Sequence, residues 1–211
     1  MTIHPVDAVF ATAGQDGKIL IWDLSEARAR CCIEIGSGWV ENLLWSPDGA
    51  QLASSHGREI QIFAADGTEQ WRSDEHLSTV SALGWLNSKE LVSTCYGRVT
   101  IFDSATGGSN QRFEWKGSLV SLALSPDGDV IACGSQDNSV HFWRRSTGED
   151  SMMSGYPGKP TALAFDSTGT LLATGGGEAV TVWSFEGNGP EGTYPVSYTH
   201  LRAHETVLDL V

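Results

Sequence analysis

Apolar and polar residues alternate over short stretches along most of this chain, and Gly, Pro, Asp and Asn interrupt the alternation every few positions. No stretch follows a helical period. The pattern is clearest from Leu119 to Arg144. There Val120, Leu122 and Leu124 alternate with small residues, and Ser125-Pro126-Asp127-Gly128 supplies a turn. A second apolar run follows at Val130 to Gly134, then a Gln136-Asp137-Asn138 turn, then Ser139 to Trp143. Three consecutive strands joined by tight turns predict an antiparallel meander.

The unit recurs. An aliphatic alternation ends on an aromatic at Trp22, Phe63, Phe102, Trp143 and Trp183, in steps of 41, 39, 41 and 40 residues. The preceding strand keeps the same step at Phe10-Ala11-Thr12, Leu52-Ala53-Ser54, Leu91-Val92-Ser93, Ile131-Ala132-Cys133 and Leu172-Ala173-Thr174. A period of about 40 residues with four strands per unit is that of propeller blades. Trp22-Asp23, the two Ser-Pro-Asp-Gly turns at 46–49 and 125–128, and the turns Gln15-Asp16-Gly17 and Gln136-Asp137-Asn138 carry a resemblance to the WD-repeat β-propeller family, over residues 3 to about 195.

The expected fold is all-β: four-stranded antiparallel blades at about 1–35, 36–72, 73–115, 116–154 and 155–195. His4-Pro5-Val6-Asp7 aligns with Ser46-Pro47-Asp48-Gly49, which leaves little room for a first strand in the first blade. About four and a half blades predict a propeller fragment in an open arc rather than a closed ring, with blade faces exposed to self-association. Residues 196–211 keep no repeat register. They read as one frame of a transposase-type sequencing adapter, and are set apart as an artefactual tail.

Composition narrows the partners. With 13 Lys and Arg against 26 Asp and Glu, the formal charge is −13, which disfavours nucleic acid or an anionic membrane. No run reaches the length of a membrane span and no leader-like segment follows Met1, so a cytoplasmic location is expected. Charge is also unevenly placed. Turns joining first to second and third to fourth strands are strongly acidic, Asp48, Asp103, Asp127 and Asp166 among them. The loops at the other end of each blade mix Arg58, Arg98 and Lys159 with Trp39, Tyr96 and Tyr156. Mixed charge with aromatics is the composition of a protein-binding surface, so Trp39, Arg58, Arg98, Tyr156 and Lys159 are the candidate docking residues for a protein or peptide.

The resemblance implies a structural network within blades: a turn Asp, a Ser or Thr on the second strand, Trp on the third, and His before the first. Thr12, Asp16 and Trp22 match in the first blade, Ser135, Asp137 and Trp143 in the fourth, and His76 in the third. Catalysis is not expected. No repeat unites a nucleophile, a base and an oxyanion hole. Cys31, Cys32, Cys95 and Cys133 lack the spacing of a zinc site and read as free thiols, with no metal or cofactor expected. The scaffold reading has two rivals: a quinoprotein-like or hydrolytic propeller enzyme, and a propeller that regulates a larger enzyme.

Overall fold

The computed structural model describes residues 1–36 and 38–185, together with residues 193–199 as backbone. All regular elements among them are β-strands. The chain divides into two compact units, Met1–Lys116 and Gly117–Val211. In the first unit β1 (Thr2–Ile3), β2 (Val9–Ala13), β3 (Lys18–Asp23) and β4 (Arg28–Glu34) form an antiparallel sheet in sequence order. A second sheet comprises β5 (Val40–Trp45), β6 (Gln51–His56), β7 (Glu59–Ala64) and β8 (Glu69–Arg72). The third uses β9 (Ala82–Asn87), β10 (Glu90–Asp103) and the early residues of β11 (Ser109–Leu124).

In the second unit the later residues of β11 pair with β12 (Val130–Ser135), followed by β13 (Val140–Arg144) and β14 (Asp150–Met153). The last sheet runs β15 (Ala162–Phe165), β16 (Leu171–Gly175), β17 (Val180–Ser184) and β18 (Thr193–Thr199). These sheets are the blades of an all-β propeller architecture. Two junctions are tighter than the sequence suggests. β10 takes in both the second and third strands of its blade around Gly97, at φ 76°, and β11 continues through Lys116-Gly117, where a loop was expected.

Strand alternation decides what is buried. In β3 the apolar positions Ile19 and Ile21 are buried while Leu20 and Trp22 are half-buried. Ile19 and Ile21, with Val9 and Ala11, pack against Trp45, Leu52 and Phe63 of the second blade. The opposite face of that blade, Ala53, Ile60 and Ile62, packs against Val80, Leu91 and Phe102 of the third. In the second unit Ala132, Val140 and Phe142 pack against Leu172 and Phe185. Each of the larger side chains among these contributes about 1.5–3 kcal/mol on leaving water, so blade-on-blade contact is the main source of stability.

Polar clamps hold two of the loops that precede a first strand. Asn42 on β5 donates through Nδ2 to the Val80 carbonyl, at 3.4 Å, and to Ser55 Oγ, at 2.8 Å. Its counterpart on β11, Ser121, donates to the Pro160 carbonyl at 2.6 Å and accepts from the Gly134 amide at 3.2 Å. A Cβ on Gly134 would lie 1.8 Å from the Pro160 oxygen, so only glycine lets that loop come so close.

β18 departs from the expected boundary at residue 195. Val180 pairs with Thr199, Thr181 with Tyr198 and Val182 with Ser197, so the strand extends four residues into the segment set apart on sequence grounds. Thr and Tyr favour a pleated ladder, and Pro195, which lacks an amide, falls inside the register shift between Val182 and Ser184. The Gly-rich stretch 186–192 and residues 200–211 lie outside the described residues.

Candidate functional site

The blade network comes first because it holds the loops. The residue opposite each third-strand aromatic sets the register: Trp22 faces Phe10, Phe63 faces Leu52, Trp143 faces Ile131 and Trp183 faces Leu172. Two residues further on lie Thr12, Ser54, Cys133 and Thr174, side by side with the aromatic on one blade face. In the fourth blade this position belongs to Cys133, whereas the sequence reading assigned it to Ser135. Ser135 instead hydrogen-bonds Asp137, helping Ser139 to hold that carboxyl below its ordinary range. The reason for the shift is ladder spacing: Asp137 to Trp143 matches Asp16 to Trp22, and Cys133 then matches Thr12.

Each blade completes the network differently. In the first, Trp22 Nε1 donates to Thr12 Oγ1 at 2.8 Å, while Asp16 accepts the Lys18 amide at 3.2 Å and so closes its own turn. In the fifth, Trp183 Nε1 lies 2.8 Å from the Tyr156 hydroxyl and 3.0 Å from Thr174 Oγ1. Tyr156 and Thr174 oxygens are 2.7 Å apart, and Thr174 donates onward to the Thr181 carbonyl at 3.2 Å. The donors run consistently from Trp183 to Tyr156 to Thr174 to Thr181. Tyr156 thus stands where the resemblance places histidine, and burial pushes its hydroxyl pKa up.

The third strand of the third blade carries Phe102 in place of an indole, and His76 serves Ser93 directly, Nε2 to Oγ at 3.0 Å. His76 Nδ1 lies 2.9 Å from the Arg58 carbonyl, which only accepts, so Nδ1 carries the proton and Nε2 accepts from Ser93. Burial, reinforced by the nearby Arg98, Arg112 and Arg58, holds this ring below its ordinary pKa and therefore neutral. In the second blade Ser54 Oγ is buried without a hydrogen-bond partner.

Of the five candidate docking residues, three belong to the first unit. Trp39 is 59% exposed. It follows Gly38, at φ 132°, where a Cβ would meet His56 Nε2 at 2.5 Å. Arg58 donates from Nε to the His76 carbonyl at 2.7 Å and pairs with Glu75 at 3.2 Å, so its guanidinium also braces the loop. Arg98 pairs with Glu114 at 3.0 Å, leaving its buried Nε without a hydrogen-bond partner. In the second unit Lys159 is exposed, whereas Tyr156 has committed its hydroxyl to the blade network. Leu77 and Tyr96, 58% and 55% exposed, occupy the same loop end of the first unit as Trp39. Leu77 is the addition that sequence reading did not single out, although an aliphatic residue in the polar loop 73–79 was its available signal.

At the other end of the blades, carboxylates are engaged by their own turns. Asp48 accepts from Ser46 and the Ala50 amide, Asp103 from Thr106, Asp127 from Ser125 and the Asp129 amide, and Asp166 from Thr168 and the Leu171 amide. Those bonds pull all four below the ordinary carboxylate range. Asp23 is likewise held by Ser25 and Arg30. The acidity of these loops is therefore turn chemistry.

One pairing tests the hydrolytic alternative. Cys133 and His141 are ladder partners, and His141 Nε2 lies 3.0 Å from Asp150. Burial, however, pushes the Cys133 thiol up, and outweighs Asp150 to push His141 down. That is the reverse of an activated thiolate–imidazolium pair. Among the described residues no group of three or more His, Cys, Asp or Glu side chains is placed to hold a metal ion. No helix there is long and apolar enough to cross a membrane.

Comparison with known proteins follows the repeat. The family described as WD domain, G-beta repeat, matches residues 1–23 and 109–144. A serine-threonine kinase receptor-associated protein of Gallus gallus is 25% identical over 167 residues, covering 78% of this chain and 48% of the relative. The small ribosomal subunit protein RACK1 of Schizosaccharomyces pombe is 27% identical over 144 residues, covering 68% and 36%. The B-type cell cycle switch protein ccs52B of Medicago truncatula is 28% identical over 153 residues, covering 65% and 30%. The chain thus spans about half the length, or less, of these curated relatives. Aromatic-ended third strands in one register, meander sheets and the matched repeats make this chain similar to WD-repeat proteins.

Proposed function

We propose that this chain is a non-catalytic WD-repeat scaffold that docks a protein or peptide on the loop ends carrying Trp39, Arg58, Arg98, Tyr156 and Lys159. The observation that carries the reading is the exposure of Trp39, Leu77 and Tyr96 at one loop end of the first unit, beside Arg58 and Arg98. Large aromatic and aliphatic groups kept in water next to guanidiniums are what interface centres are made of. In the second unit Tyr156 would contribute its half-buried ring alone, since its hydroxyl is taken. Two relatives are named for association with a receptor and with a ribosomal subunit, which suits a docking role. The formal charge of −13 favours a protein partner over nucleic acid or an anionic bilayer.

Photo-crosslinking tests the reading. A benzophenone amino acid replaces Trp39 in one variant and Leu24, which is 56% exposed at the acidic turn end, in another. We expect discrete protein adducts from position 39 and background from position 24. Equal adducts from both positions would overturn the proposed surface.

A further inference from the structure

The first unit contains a cavity of about 280 Å³ that no part of the blade network fills. It runs from the loop end down the third blade, lined by His76, Leu77, Arg98, Thr100, Phe102 and Arg112, with Asp74 on its lining near the loop. That volume is at the low end for a ligand pocket and suits a single side chain better than a cofactor.

Its polar groups are unevenly satisfied. Thr100 is only 4% exposed and brings a hydroxyl to the cavity wall. Arg98 has given one guanidinium nitrogen to Glu114, and its buried Nε has no hydrogen-bond partner. Arg112 is exposed and pairs with no carboxylate among the described residues. Glu75, the other acid on the wall, is engaged by Arg58. His76 is neutral, as its tautomer requires, and adds no charge. Donors in excess of acceptors, inside a partly enclosed site, call for an anion with two oxygens. Asp74 is the one opposing charge without an ion-pair partner among the described residues. Leu77, 58% exposed, stands at the loop end of the cavity as an apolar contact.

We infer that this cavity receives the carboxylate side chain of a partner peptide, held by Arg98, Arg112 and Thr100, with an apolar residue next to it resting on Leu77. The inference rests on the docking reading above and adds to it the chemistry of the partner: an Asp or Glu beside a large aliphatic residue. Bidentate pairing of a guanidinium with a carboxylate supplies the selectivity, because an amide of the same shape leaves donors unmatched.

The test follows the arginine side-chain Nε–H signals by NMR while a capped pentapeptide, Gly-Gly-Glu-Leu-Gly, is added to the full chain. The control peptide carries Gln in place of Glu. We expect saturable shifts at Arg98 and Arg112 with the acidic peptide and an affinity at least about tenfold weaker for the amide. Arg112→Gln, which removes no ion pair and should fold normally, is expected to weaken the acidic peptide at least about fivefold. Asp74→Asn should tighten it. Equal binding of the two peptides, or Arg112→Gln without effect, overturns the carboxylate pocket. So does a lack of any shift up to about 10 mM peptide. Crosslinks from position 39 that persist through such a failure would leave the docking surface standing and remove only the cavity, so the two claims fail separately.

Discussion

The two ends of each blade are built from similar residue types put to different uses. At the acidic end, Asp48, Asp103, Asp127 and Asp166 point back into their own turns and accept hydroxyl and amide hydrogens there. At the other end, His76, Tyr156 and Arg58 brace the loops from within, while Trp39, Leu77, Tyr96 and Lys159 remain in water. Charge density alone would point to the acidic end as the more reactive surface. Hydrogen-bond accounting points the other way, since a carboxylate already satisfied by its turn has little left to offer a partner.

Substitutions separate the two ends. The largest effect is predicted for Trp39→Ala, which should weaken a purified partner about thirtyfold or more while leaving the melting temperature unchanged. Next, Asp127→Ala removes a turn acceptor and should cost about 1 kcal/mol, seen as a melting temperature lower by about 2–4 °C with partner affinity intact. Tyr156→Phe should cost a similar ~1 kcal/mol, because Trp183 and Thr174 lose their shared hydroxyl, yet the retained ring should keep docking. If Tyr156→Phe instead abolished binding at full stability, the hydroxyl would belong to the interface.

Acid titration gives a smaller and separable signal. His76 has a depressed folded pKa, so the unfolded chain takes up its proton first, and stability falls as pH drops below about 6.5. The turn aspartates, also depressed, give stability that is present above about 4 and is lost only as pH falls further. Two limbs are therefore expected in melting temperature against pH, the upper shared by His76 and His141, and His76→Gln should make the upper limb shallower while leaving the lower one in place. The smallest effect is predicted for Ser54→Ala, within about 0.5 kcal/mol of neutral or slightly stabilising, because the lost hydroxyl has no hydrogen-bond partner in the structure.

The repeat was readable because a period-2 alternation ending on an aromatic is imposed by burial on both faces of a packed blade. Trp22, Phe63, Trp143 and Trp183 therefore keep step in sequence as they do in the sheets. Turn aspartates were readable for the same local reason. The network was only half readable. Ser135 was chosen for its hydroxyl, but ladder register, which depends on pairing with β13, gives the position to Cys133. Tyr156 looked like a docking aromatic because a single sequence does not reveal that its hydroxyl reaches Thr174 and Trp183, 18 and 27 residues away. The cavity between the loop at 74–77 and β11 had no sequence signal, since it depends on the spacing of side chains from separate strands.

One paired titration would test the difference between the blade ends most directly: the dissociation constant of the crosslinked partner, once purified, for Trp39→Ala and for Asp127→Ala, with the melting temperature of each. The expected result is an affinity at least about thirtyfold weaker at unchanged stability for Trp39→Ala, and lower stability at unchanged affinity for Asp127→Ala. Loss of affinity in Asp127→Ala together with wild-type affinity in Trp39→Ala would contradict it and move the docking surface to the acidic turns.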